Sequence, residues 1–170
     1  MSKFPSLWTK LGYDFGRHED ELERKAKEAE KLQFVDYKGQ PIRMDQYRTL
    51  EQFAVQYGQK AEEMEQVEVK DGLVEILQTS EGKTTKDRML LIPKELIALR
   101  KLYCYWNGLI SLEIPKELIE LQTLYCHQNE LISLVIPKVT ALTKVYLSEN
   151  PNLPRSVIDE LRSRGVVVRG

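Results

Sequence analysis

In the second half of the chain, short runs alternate apolar and polar residues, and the runs themselves return at a fixed interval. The string IPKELIALRKLYCYWNGLISLE, from Ile92 to Glu113, aligns without a gap on IPKELIELQTLYCHQNELISLV, from Ile114 to Val135, with 15 of 22 positions identical. A third, looser copy, IPKVTALTKVYLSENPNL, begins at Ile136 and runs one residue short before its asparagine. Self-similarity at this interval marks a solenoid, in which each unit leaves an apolar face that only its neighbours can cover. Within a copy, the period of two turns Leu102 and Cys104 inward and Lys101, Tyr103 and Tyr105 outward, which predicts a short strand. The asparagine that follows turns the chain out of the strand. Its side-chain amide can bond backbone groups left unpaired by the turn, so stacked coils are expected to carry an asparagine ladder. The return segment directs Leu109, Leu112, Leu118 and Leu121 to the core. Pro93, Pro115 and Pro137 recur there, and since proline cannot donate to a strand ladder they are predicted outside the sheet.

The spacing L-x-x-L-x-L-x-x-N-x-L, with Cys or Val replacing some leucines, occurs as Leu99, Leu102, Cys104, Asn107 and Leu109, then as Leu121, Leu124, Cys126, Asn129 and Leu131. The third copy reads Leu142, Val145, Leu147 and Asn150. On these residues the chain resembles the leucine-rich-repeat family, over Ile92 to Leu153, about a third of its length. The resemblance implies an α+β leucine-rich-repeat solenoid of about three coils, with a short parallel β-sheet on the concave face and caps at both ends. Past the last asparagine, Pro154 is placed to start a helix, Val157, Ile158 and Leu161 share one face, and Gly165 is placed to stop it. A strand from Val166 to Val168 should follow. Residues 154–170 are thus expected to be a C-terminal helix cap within a repeat domain of residues 89–170.

Residues 1–88 lack the repeat and are expected to form an N-terminal helical and hairpin capping region. From Glu19 to about Leu32 the sequence predicts a charged helix with Glu21/Lys25 and Glu23/Lys27 pairs. Its thin apolar stripe of Leu22, Ala26 and Ala29 needs a partner surface. A second helix is predicted from Asp45 to about Met64, with Tyr47, Leu50, Ala54 and Tyr57 on one face and an interruption at Gly58. Between the helices, FVDYKGQPI is either a small hairpin or an extended loop. The stretch VEVKDGLVEIL, centred on Asp71-Gly72, predicts a hairpin whose second arm joins the solenoid's sheet. Ser80 to Lys86 is predicted to be a loop. No family resemblance attaches to this region, and two readings stay open: a cap only, or a part with a specific role.

Composition narrows the function. The 42% apolar and 30% charged fractions are those of a globular chain, and 170 residues are enough to bury a core. Basic and acidic residues number 25 and 26, with 15 against 18 before Met89 and 10 against 8 from it, so no field steers either part toward nucleic acid. The N-terminal MSKFPSLWTKLGYDFG has no unbroken apolar core for an export signal, and no apolar run nears the roughly 20 residues that span a bilayer. Cys104 and Cys126 both occupy apolar repeat positions, which suits reduced thiols, and a cytoplasmic location is expected.

Candidate chemistry is sparse. Gly82-Lys83-Thr84 is similar to the end of a phosphate-binding loop, but the glycine required five positions earlier is Leu77. Cys104, Cys126 and His127 cannot share a metal ion, because strand alternation turns the cysteines inward and the histidine outward. A Cys104–Cys126 disulfide is conceivable between coils about 5 Å apart, but does not suit a reducing compartment. Neither His18 nor His127 is accompanied by a nucleophile motif. No catalytic residue, cofactor or metal is expected.

The outward strand positions carry the functional expectation. From coil to coil they are Lys101, Thr123 and Lys144; Tyr103, Tyr125 and Tyr146; Tyr105, His127 and Ser148; with Trp106, Gln128 and Glu149 at the rim. Tyrosine and tryptophan bury large areas at small entropic cost and dominate interfaces. A competing explanation is that aromatic neighbours simply stabilise a sheet surface, by roughly 0.2–1 kcal/mol each. The expected function is a monomeric, non-catalytic protein–protein interaction module that binds another protein, and neither nucleic acid nor membrane. Its expected partner-binding residues are Lys101, Tyr103, Tyr105, Trp106, Thr123, Tyr125, His127, Lys144 and Tyr146. The rivals are a structural, self-associating role, and an enzymatic or nucleotide-handling role in residues 1–88 marked by a pocket of titratable groups with displaced pKa values.

Overall fold

A computed structural model describes residues 15–31, 33–79, 82, 85 and 87–170, in two compact units divided after Gln33. In the first unit the described element is helix α1, Phe15–Lys31, which includes a turn ahead of the predicted start. The predicted pairs form, with Lys25 to Glu21 at 2.9 Å and Lys27 to Glu23 at 4.0 Å. Leu22 and Ala26 are exposed. The Ala29 side chain and Leu32 lie outside the described residues.

The second unit opens with a hairpin, β1 (Phe34–Tyr37) and β2 (Gln40–Arg43), so FVDYKGQPI is the hairpin of the two alternatives. Its two-residue loop, Lys38-Gly39, has φ of 52° and 80°, the left-handed pair that a tight hairpin turn requires. Helix α2, Met44–Val55, follows directly and stops well short of the predicted end at Met64. Gly58 adopts φ +65°, and the Gln59 N–H bonds the Ala54 carbonyl across the turn. That C-terminal geometry ends the helix, and a single 3-10 turn, Ala61–Glu63, then lets Ala61 and Met64 reach the core. On the predicted helix face Leu50, Ala54 and Tyr57 are buried and Tyr47 is half-buried. Gln40, Gln46 and Gln56 act as surrogate backbone. The Gln56 amide both donates to and accepts from Leu91 at 2.9 Å, Gln46 donates to the Glu95 carbonyl at 3.0 Å, and Gln40 accepts from the Val69 N–H at 3.1 Å.

A second hairpin, β3 (Val67–Lys70) and β4 (Leu73–Gln78), turns at Asp71-Gly72 as the sequence predicts, with φ of 52° and 77°. A methyl group on Gly72 would stand 2.5 Å from Phe34 Cε1 and 2.9 Å from Arg43 Cγ. The exposed Phe34 ring can swing away, so the left-handed backbone and the close Arg43 Cγ, whose side chain is held by Asp45, carry the penalty. Gly72→Ala is expected to cost about 1–2 kcal/mol, read from the urea midpoint.

From β4 onward the chain winds as a β-solenoid of about four turns at a spacing of about 22 residues. Strands β4, β6 (Lys101–Tyr103), β8 (Thr123–Tyr125), β10 (Lys144–Tyr146) and β11 (Val167–Arg169) lie parallel in that order, with β3 antiparallel at the edge of β4. The expected three coils become about four because β4 supplies a turn whose sequence does not repeat. The return segments form a second, three-stranded parallel sheet that the sequence reading lacked: β5 (Met89–Leu91), β7 (Ser111–Glu113) and β9 (Ser133–Val135). Each of these strands has one inward residue, Leu90, Leu112 or Leu134, too few for an alternation to register. Pro93, Pro115 and Pro137 lie just beyond these strands, outside both sheets.

After Asn150 comes helix α3, Arg155–Ser163, with Leu161 buried, Val157 and Ile158 half-buried, and Gly165 at φ +80°. Strand β11 follows one residue later than predicted and pairs with β10. Leu102, Leu124 and Val145 are fully buried in one row, and Cys104, Cys126 and Leu147 in the next. The same core contains Ile42, Leu50, Phe53, Val74 and Leu77, so the hairpins and α2 share it with the repeats. Full burial of one such side chain contributes about 1.5–3 kcal/mol.

Candidate functional site

The strand-to-turn corner repeats from coil to coil. Trp106, Gln128 and Glu149 adopt φ of 52°, 54° and 55°, and each is followed by the ladder asparagine, Asn107, Asn129 or Asn150. The left-handed residue swings the chain outward and the asparagine locks the corner. Asn129 Oδ1 accepts from the N–H groups of Asn107 and Leu109, both at 3.0 Å, while its Nδ2 donates to the Cys104 carbonyl at 2.9 Å. Asn150 repeats the pattern toward Leu131 N–H and the Cys126 carbonyl. The predicted ladder is therefore present.

With the corners in register, the outward side chains form columns. Tyr103 and Tyr125 stack with ring centroids 4.3 Å apart and planes at 8°, and Tyr125 and Tyr146 stack at 4.4 Å and 10°. Beside them Tyr105 stacks on His127 at 4.8 Å and 10°. Tyr103, Tyr105, Thr123, Tyr125, His127, Lys144 and Tyr146 are half-buried, Lys101 is exposed, and Trp106 at the rim is 59% exposed. All nine predicted residues thus lie on one sheet face or its rim. The tyrosine column is extended by residues the sequence reading passed over: Gln78 is in register with Tyr103, and Arg169 with Tyr146. Neither belongs to a repeat copy, so only the pairing of β4 and β11 reveals them. Gln78 Nε2 donates to Glu65 at 3.0 Å and to the Tyr105 hydroxyl at 3.3 Å.

Burial, followed by its two tyrosine neighbours, pushes the Tyr125 hydroxyl up to about 12. Tyr37 rises to about 12 chiefly through burial, and Tyr47 to about 12 chiefly through its hydrogen bond to Glu62. Because these folded-state values exceed the unfolded one near 10, the folded state holds protons that the unfolded state releases in between. The stability they confer is complete below about pH 10 and is lost as pH climbs toward 12. Urea midpoints measured across that window should fall, and should fall less steeply in Tyr125→Phe.

Cys104 and Cys126 are buried free thiols, as the alternation predicts. Burial pushes Cys104 up to about 12 and Cys126 well above the ordinary thiol value, which suppresses the reactive thiolate. Among the described residues, no three His, Cys, Asp or Glu side chains are grouped to hold a metal ion, and no helix is long and apolar enough to cross a membrane. Lys83 and Thr84 of the loop motif lie outside the described residues, as does most of the predicted loop from Ser80 to Lys86. On the return side, a groove of about 510 Å³ runs past Met89, Leu91, Lys94, Ser111, Glu113 and Lys116. It contains none of the predicted site residues. No protein-family model matches the chain, and no curated protein is significantly similar to it in sequence.

Proposed function

We propose that this chain is a leucine-rich-repeat protein, a non-catalytic module of the cytoplasm that recognises a partner protein through the concave sheet face carrying the tyrosine column. In this reading the N-terminal hairpins with α2, and residues 154–170, are the solenoid's caps. The 22-residue copies and the asparagine ladder support the family reading. The single observation that carries recognition is Trp106, 59% exposed at the edge of the stacked tyrosines. Stacking between coils accounts for the tyrosines as sheet stabilisers, but gives no reason to hold a tryptophan in water on a left-handed corner. Exposed aromatic residues beside an ordered, rigid surface are what interfaces use as anchors.

The test is affinity capture from the source's own lysate, comparing the native chain with a Tyr103→Ala, Tyr125→Ala, Tyr146→Ala variant shown to be folded by circular dichroism. A partner retained by the native chain and lost by the variant supports the reading. A partner held equally by both moves the binding site off this face.

A further inference from the structure

We infer that the segment engaged by this face is an acidic stretch of a partner protein, laid along the tyrosine column between Lys101, Lys144 and Arg169; the inference rests on the recognition reading above. Tyr103, Tyr125 and Tyr146 stack within 4.4 Å and 10° of parallel, so both faces of Tyr125 and the inner faces of Tyr103 and Tyr146 are spent on one another, and the two outer faces lie toward Gln78 and Arg169 in register. Solvent meets ring edges and hydroxyls. An aromatic ring carries negative potential on its faces and positive potential at its edge, so the stack conceals its negative surfaces and presents its positive ones. The phenol hydroxyls, which bond one another through Tyr125, add both donor and acceptor groups, and the Tyr105–His127 stack repeats the ring arrangement one column over. Within the column, the stacked ring faces are closed to sugars or bases, which need free faces to stack on.

The charges in register agree. Lys101 and Lys144 flank the column two strands apart, about 10 Å, within reach of two carboxylates on one extended segment. Arg169 continues the column beyond Tyr146. None of these three cations makes an ion pair among the described residues. The acidic groups near this face lie at its β3 edge and its rim, where Glu65 accepts from Gln78, Glu68 from Gln66 and Glu149 from Gln128, neutral amides that leave the charge in place, and Glu75 pairs with Arg100 at 3.7 Å. Positive edges, hydroxyl donors and unpaired cations thus coincide on the side away from the β3 hairpin.

The experiment is fluorescence anisotropy of an oligoglutamate peptide carrying a neutral label, added to the full chain, with uncharged and oligolysine peptides of equal length as controls. Oligoglutamate should bind, more weakly as salt rises, and the controls should not. The combined variant Lys101→Gln, Lys144→Gln, Arg169→Gln should lose about tenfold in affinity, equivalent to about 1.4 kcal/mol. Combined Tyr103→Phe, Tyr125→Phe, Tyr146→Phe keeps the stack and should lose a smaller part through its missing donors. No binding of oligoglutamate, or full affinity in the glutamine variant, overturns the inference. So does preference for a phosphopeptide or a DNA duplex, or a dimer in light scattering that the glutamine variant abolishes. A captured partner that the alanine variant loses but the glutamine variant keeps refutes the acidic segment and leaves recognition standing. A partner that both variants keep refutes recognition through this face.

Discussion

Asn129→Ala should destabilise the protein by about 3–5 kcal/mol, more than the same change at either neighbouring rung. Asn129 is 4% exposed and joins the backbone of two successive coils. Its Oδ1 serves the N–H groups of Asn107 and Leu109, and its Nδ2 serves the carbonyls of Cys104 and Cys126 at 2.9 and 3.1 Å. Alanine leaves two buried donors and the Cys104 carbonyl without these partners, while the Cys126 carbonyl keeps its bond from Asn150. Each orphaned buried group costs about 1–3 kcal/mol, whereas the lost hydrogen bonds count for less, because water satisfies the unfolded chain. Asn150 is half-buried and serves one N–H, that of Leu131, so solvent can replace part of it. Asn107 is as buried as Asn129, but its Nδ2 meets the Thr79 hydroxyl at 2.9 Å, and its Oδ1 has no partner among the described residues. Removing a group that receives nothing orphans less. Urea denaturation of the three alanine variants should therefore rank Asn129 first, with a thermal midpoint lowered by about 10 °C for that variant. Equal losses at Asn107 and Asn129 would refute the ladder as the main clamp between coils.

Phe53→Ala should cost about 3–5 kcal/mol although it lies outside every repeat. The ring is fully buried, 5.9 Å from that of Tyr57, and belongs to the core that contains Leu77, Leu102 and Leu124. Truncation removes its transfer free energy and opens a cavity that the surrounding strands, fixed by the ladder, cannot collapse into. Val55, two residues on and 70% exposed, is the control, and Val55→Ala should stay within about 0.5 kcal/mol of native. The shared core makes a further demand. Hydrogen exchange should open the amides of α2 and those of strands β6 and β8 in the same cooperative transition, because α2 and the coils have no separate interiors. Two resolved transitions would mean that the N-terminal elements of this unit fold apart from the solenoid. The Gln46 and Gln56 bonds to Glu95 and Leu91 reinforce the single-transition expectation, since they bind α2 to the first return segment.

What could be read without coordinates was whatever repeats or turns locally. The copies at Ile92 and Ile114 establish the coil length, the inward leucines and cysteines, the asparagine corners and the outward tyrosines, because each is a choice made within a few residues and made again 22 residues later. Asp71-Gly72 declared its turn for the same reason: only a few residue types accept two successive left-handed conformations. The alternation over Leu102 to Cys104 says which side of the strand is wet.

The tertiary structure decided everything that depends on one segment meeting another that does not resemble it. Helix α2 ends at Val55 because Gly58 turns the chain and the core then claims Ala61 and Met64, a competition that helix periodicity does not contain. The second sheet exists because three-residue return strands pair across coils, although none has enough alternation to be seen alone. Gln78 and Arg169 extend the tyrosine column only through the registers of β4 with β6 and of β11 with β10. That the tyrosines present edges and not faces is a property of coil spacing: strands about 4.8 Å apart leave room for aromatic rings to lie flat on one another and for little else. Side-chain identity is written along the chain, but orientation is set by packing, and it is orientation that turns three tyrosines from a stacking platform into a positive-edged surface.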